Sequence, residues 1–172
     1  MPPHSIDLEL ADSSSTEALG QALARALPAG AGADGAVLYL HGELGAGKTT
    51  SVRALLRTLG VAGLVRSPTY TLVETYVLPS MICVHVDLYR LQSLAEVDEL
   101  GLRDLVGPGH LLLVEWPERG GGRLPPADMD LTLLYADTGR LAQLRGKSLG
   151  GGQWLENLGR DTSLSSYVSN LT

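Results

Sequence analysis

Gly42-Glu43-Leu44-Gly45-Ala46-Gly47-Lys48-Thr49 fits the pattern G-x4-G-K-[ST] without a mismatch. The chemistry behind that spacing is the capture of a polyphosphate. Glycines let the backbone curl until several N–H groups point inward. The helix that follows offers its unpaired N-terminal N–H groups and the positive end of its dipole. Lys48 neutralises charge on the β- and γ-phosphates, and Thr49 supplies a small hydroxyl to magnesium. Gly45, Ala46, Gly47, Lys48 and Thr49 are therefore candidate ATP-binding residues. The flanks supply the context this motif needs. Ala36-Val37-Leu38-Tyr39-Leu40 before it is a continuous apolar run, as expected of a strand buried on both faces. After it, Val52, Leu55, Leu56 and Leu59 recur at helical spacing, and Gly60 ends the pattern.

A phosphate loop of this kind needs a magnesium-facing carboxylate at the end of a neighbouring strand. Two apolar runs end on one. Ile82-Cys83-Val84-His85-Val86 leads to Asp87, and Leu111-Leu112-Leu113-Val114 leads to Glu115. Both are candidates for the metal or the attacking water, and the spacing does not divide the roles between them. His85 stands two residues before Asp87, so both point to one face of that strand. A satisfied strand histidine is the expectation there.

Working outward, Ile6 to Leu10 reads as a strand. Asp12 to Glu17 caps a helix with Leu19, Ala22, Leu23, Ala26 and Leu27 on one face, ended by Pro28 to Gly35. Tyr70–Val77 and Met81–Val86 form an expected hairpin around Leu78-Pro79-Ser80. Leu94 to Leu100 reads as a short helix capped by Ser93. Asp130–Tyr135 and Arg140–Leu144 form a closing hairpin around Asp137-Thr138-Gly139. The expected fold is α/β: a P-loop NTPase-like three-layer α/β/α sandwich, with a mixed, mainly parallel sheet and antiparallel hairpins. Residues 1–149 make one ATPase domain. Residues 150–172, Gly/Ser-rich and weakly patterned, read as a partly flexible tail.

The totals agree with a single domain. The chain has 172 residues, 44% of them hydrophobic and none of them Phe. Cys83 is its one cysteine, so it forms no internal disulfide and reads as a buried strand position. No stretch is long and apolar enough to span a membrane. Met1-Pro2-Pro3-His4-Ser5 has neither the basic nor the apolar region of a secretion signal, so the cytoplasm is expected. A formal net charge of −6 makes the chain a poor candidate for gripping a nucleic-acid backbone by itself.

Four blocks together resemble the bacterial TsaE (YjeE) family, the ATPases of tRNA threonylcarbamoyladenosine biosynthesis. They are Gly42 to Thr50, Ser67-Pro68-Thr69-Tyr70-Thr71-Leu72-Val73-Glu74, His85-Val86-Asp87-Leu88-Tyr89-Arg90-Leu91 and Val114-Glu115-Trp116-Pro117-Glu118-Arg119. The resemblance covers roughly residues 6 to 146. It implies slow ATP hydrolysis and assembly with a TsaD–TsaB pair that modifies the adenosine beside the anticodon, so tRNA is met indirectly. It also implies that Thr49 and Glu115 hold Mg2+ and that Asp87 is a second acidic residue of the pocket. Trp116 is implied to lie beside that pocket, Thr16 near the adenine, and Thr50 among the nucleotide contacts. Lys48, Asp87 and Glu115 are then the candidate catalytic residues. The Ser67–Thr71 loop, stiffened by Pro68, reads as a switch that feels the γ-phosphate. Arg90 and Arg119 are candidate charge-stabilising arginines, though surface or ion-pair roles suit either alone. The rival reading is a small-molecule kinase on the same core. Against it, Gly101 to Gly109 carries only Arg103 where a kinase lid would be Arg-rich.

Overall fold

The computed structural model describes residues 4–31 and 34–169. Seven strands form one sheet in the order β1-β7-β6-β2-β5-β4-β3. They are β1 (Ser5–Leu10), β2 (Ala36–Gly42), β3 (Val73–Val77), β4 (Ile82–Asp87), β5 (His110–Glu115), β6 (Met129–Tyr135) and β7 (Arg140–Gly146). The centre is parallel: β2 pairs with β5 and β6, and β4 pairs with β5. Antiparallel pairs close both sides, β3 with β4 and β7 with β6 and β1. Five strands thus run one way and only β3 and β7 run against them, as the mainly parallel expectation requires.

The helices are α1 (Ser13–Ala26), α2 (Lys48–Leu59), α3 (Leu94–Leu100) and α4 (Leu149–Gly159). α1, α2 and α4 cover one face, where Leu19, Leu23, Val52, Leu55 and Trp154 meet Leu38, Leu111 and Leu131 of the strands. α3 and two 3₁₀ turns, Leu102–Leu105 and Pro117–Arg123, cover the other, around Val37, Val84, Leu112 and Val114. Because both faces are covered, β2 and β5 read as unbroken apolar runs rather than alternating ones. α1 starts where expected. Asp12 accepts from Ser15 N at 2.8 Å, and the Ser15 hydroxyl accepts from Asp12 N, which completes a capping box.

Two elements differ from expectation. β3 begins at Val73 rather than Tyr70. Pro68 and Leu72 close a turn through Leu72 N to Pro68 O at 3.0 Å, and Leu72 takes a positive φ of 64°. The second difference is larger. The segment expected as a tail from Gly150 is α4, followed by a 3₁₀ turn over Thr162–Tyr167. Trp154, Leu155 and Leu158 are buried in the core, and Trp154 Nε1 donates to Leu23 O at 2.9 Å. The last part of that expected tail, residues 170–172, lies outside the described residues. One of the glycines that hid this helix has a packing reason. At Gly151 a Cβ would fall 1.6 Å from Asp128 O, so only glycine lets α4 approach the start of β6 this closely.

Ser148 caps α4 by accepting from Gly151 N at 3.0 Å while donating to Asp128 Oδ1. Ser148→Ala should therefore lower stability by about 0.5–2 kcal/mol in urea unfolding. Nucleotide affinity should stay unchanged, since Ser148 stands at the opposite end of the sheet from Gly42–Thr49. Unchanged stability would mean that α4 adds little to the fold. Among the described residues no helix is long and apolar enough to cross a membrane.

Candidate functional site

β2 delivers the chain to Gly42, and α2 begins at Lys48. Between them the loop turns on left-handed glycines. Gly47, the residue before the helix, has φ 112°, where an L side chain is strained. A Cβ there would also come 3.0 Å from Thr16 Cγ2. Thr16, buried in the first turn of α1, thus walls the loop from the side. A small cleft of about 210 Å³ opens there, lined among others by Asp12, Thr16, Gly45, Ala46, Gly47 and Thr50. A second cleft of about 370 Å³ lies beyond the loop, lined by Lys48, Thr49, Ser67, Asp87, Glu115 and Trp116 among others. A larger cleft of about 780 Å³ lies at the far end of the strands, between α4 and the start of β2, and holds none of these groups.

The Lys48 ammonium donates to the carbonyls of Gly42 and Glu43, the latter at 2.9 Å. It also rests 4.3 Å from the centre of the Trp116 ring, a cation–π contact. Burial lowers the Lys48 pKa, more than the nearby charges of Glu115, Glu118 and Asp87 restore it. Trp116 packs against the edge of the core around Val114 and also faces the cleft. It is half-buried and has φ 56° and ψ 47°, a left-handed conformation rare for a bulky residue. Such strain gathers at functional positions.

β4 and β5 pair in parallel so that Asp87 is opposite Glu115. The two carboxylates expected from the sequence are therefore neighbours at the strand ends, beside the loop. Glu115 Oε1 accepts from Thr49 Oγ1 at 2.8 Å. Asp87 accepts from Ser67 Oγ at 3.3 Å and from Tyr89 N at 3.0 Å. Thr69 Oγ1 donates on to Ser67 at 3.3 Å, so the Ser67–Thr71 loop hangs on Asp87. The environments separate the pair. Burial pushes the Asp87 carboxyl up, the Tyr89 N–H opposes this, and the Glu115 charge adds to the rise. Burial would raise Glu115 too, but contacts with His85, Thr49 and Asp87 outweigh it and hold that carboxyl below its usual range.

His85 corrects an expectation. It is fully buried, yet among the described residues neither ring nitrogen has a hydrogen-bond partner. Its Nε2 faces Glu115 Oε2 at 3.7 Å. Arg90 and Arg119 are both exposed. Arg90 lines the larger nucleotide-side cleft with its guanidinium 5.1 Å from the Tyr70 ring, and Arg119 stacks near Tyr89 and Trp116. Arg103 donates to Gly122 O and Arg123 O, which commits it away from the cleft. Cys83 is buried in β4, and burial pushes its thiol up to about 11, so it is inert.

Two residues at the loop had no signal in the sequence. Tyr135 donates its hydroxyl to Leu44 O at 2.7 Å, and Arg140 Nη2 donates to Gly45 O at 3.3 Å. The Arg140 guanidinium lies 4.1 Å from the Tyr135 ring. They brace the crest of the loop because β6, which ends at Tyr135, is the neighbour of β2, and β7 sets Arg140 opposite Tyr135. Strand order is what the sequence could not supply.

The hydroxyl of Thr49 and the oxygens of Glu115 and Asp87 are hard donors of the kind that magnesium takes. The loop glycines leave space along the backbone where side chains would stand, as a phosphate cradle requires. The residues present therefore fit both a nucleotide and magnesium.

The family model described as threonylcarbamoyl adenosine biosynthesis protein TsaE matches residues 10–142. The tRNA threonylcarbamoyladenosine biosynthesis protein TsaE of Haemophilus influenzae is 44% identical over 108 residues, 63% of this chain and 68% of that one. The Synechocystis protein of the same name is 41% identical over 123 residues, 69% of this chain and 74% of that one. The crystal structure of Bacillus subtilis YdiB superposes with a TM-score of 0.71 at 25% identity, covering 91% of this chain and 95% of that one. With the four sequence blocks gathered at one end of the sheet and the family model spanning residues 10–142, the chain belongs to the TsaE family.

Proposed function

We propose that this chain is an ATP-binding and ATP-hydrolysing accessory protein of threonylcarbamoyladenosine modification of tRNA, acting through a TsaD–TsaB-like complex. One observation carries the ATPase part: Thr49 Oγ1 and Glu115 Oε1 are 2.8 Å apart at the end of a glycine loop. That pairing joins the hydroxyl of a phosphate loop to a strand-end carboxylate, the two groups that a phosphate-bound magnesium needs. The backbone N–H groups of Gly45 to Lys48 would cradle the phosphates, and Lys48 would neutralise them. Thr49 and Glu115 would hold magnesium, which would supply charge neutralisation at the phosphates. Asp87 would serve the attacking water from beside the Ser67–Thr71 loop. Thr16, Thr50 and the small cleft beside them would take the adenosine end.

The tRNA role rests on family membership. Its reach to tRNA is indirect, because 13 Lys and Arg against 19 Asp and Glu leave no excess of positive charge for a phosphate backbone. A gel shift at physiological salt should show little binding of the isolated chain to tRNA, and tight binding would refute that route. The role itself is tested in a bacterial strain depleted of its own TsaE. Expressing this chain should restore threonylcarbamoyladenosine in hydrolysed tRNA, read by mass spectrometry. A well-expressed chain that restores none would remove the proposal.

A further inference from the structure

His85 is the least explained polar group in the core. It has no exposed surface, and among the described residues both ring nitrogens lack a hydrogen-bond partner. Along β4 its neighbours Val84 and Val86 are apolar; across the sheet it stands opposite Leu113 on β5 and Glu74 on β3, and the Glu74 carboxylate accepts from Thr71 Oγ1 instead. A slot that only needed filling would be better filled by a leucine, because a buried imidazole without partners is destabilising. What the imidazole has nearby is a charge. Glu115 is itself 1% exposed, and its Oε2 is 3.7 Å from His85 Nε2. A buried carboxylate is tolerated only where other groups satisfy it. Thr49 serves Oε1, on the side of the phosphate loop. His85 faces Oε2, on the side of the core.

We propose that His85 is a positioning residue whose Nε2–H, donated from behind, fixes the Glu115 carboxylate for magnesium. The inference rests on the reading of Glu115 as a magnesium-holding residue. It requires one tautomer, with the proton on Nε2. Carboxylates that hold metals are themselves oriented by outer partners, and losing such a partner weakens metal affinity by roughly 10–100-fold. His85 touches neither nucleotide nor reacting atoms; it acts through Glu115.

The test uses the full chain and the variants His85→Leu and His85→Gln. Gln keeps an N–H donor near the Nε2 position, and Leu keeps only the volume. A fluorescent ATP analogue is titrated in EDTA and at rising Mg2+. His85→Leu should need at least about tenfold more Mg2+ for half-maximal tightening, with affinity in EDTA unchanged. His85→Gln should stay within about threefold of wild type. A wild-type Mg2+ response in His85→Leu overturns the proposal, as does an equal loss in both variants. Should His85→Leu not fold, the imidazole is read directly in the wild type. Long-range 1H–15N spectra of its histidines, with His85 assigned from the His85→Gln spectrum, should show the Nε2–H tautomer. A proton on Nδ1 with bare Nε2 overturns it without any core substitution. Failure of the underlying reading looks different: nucleotide affinity of the wild type would then be indifferent to Mg2+.

Discussion

Lys48→Ala is expected to weaken binding of a fluorescent ADP analogue by about 30-fold or more. The ammonium is buried, with its donors already aimed at the loop carbonyls of Gly42 and Glu43. A phosphate bound in the loop would lie beside a charge held in place rather than a mobile surface lysine. Removing one partner of such a hydrogen-bonded charge pair costs about 2–5 kcal/mol, which corresponds to that loss. The fold should survive, because the side chain packs on Trp116 at the cleft and not in the apolar core. The freed loop carbonyls remain next to solvent. Equal affinities for wild type and variant would defeat the phosphate-loop assignment.

Glu115→Ala should reduce ATP hydrolysis by about 10²–10³-fold, the size of effect seen when one preorganised charge-stabilising group is lost. Nucleotide affinity in EDTA should change far less, because without the metal Glu115 adds only negative charge near the phosphates. Asp87→Ala should also slow hydrolysis more than it weakens binding, and it has a second consequence. Ser67 loses its acceptor, so the Ser67–Thr71 loop loosens. Either variant hydrolysing ATP like the wild type would reduce that carboxylate to a strand-end cap. Turnover without any acceptor also separates this protein from a kinase, which should be nearly silent alone.

Much of this site is legible in the sequence because its chemistry is local. A glycine loop between a buried strand and a capped helix can be read from nine residues, Gly42 to Thr50. The carboxylates are legible too, since each ends an apolar run. That they face each other needed the parallel pairing of β4 with β5. What stayed hidden depends on neighbours far apart in the chain. Tyr135 reaches the loop only because β6 lies beside β2, and Arg140 only because β7 pairs it with Tyr135. The isolation of His85 cannot be read from its own strand, where alternation gives a face but not the groups across from it. α4 was hidden for a different reason. Gly150-Gly151-Gly152 signals a weak helix, and local propensity lost to packing, with Trp154, Leu155 and Leu158 anchoring the helix to the core.

The arrangement also links nucleotide to surface. Asp87 lies at the cleft, Ser67 is bonded to it, and Tyr70, three residues on, is 86% exposed. A γ-phosphate that orders this loop would present a different outer surface from the one presented with ADP. The direct measurement is calorimetry of this chain against a TsaD–TsaB complex, once with Mg2+ and a non-hydrolysable ATP analogue and once with Mg2+ and ADP. Tighter binding with the ATP analogue is the predicted result. Equal affinity in both, or no binding in either, would contradict the account of this chain as an ATP-dependent partner of the tRNA-modifying complex.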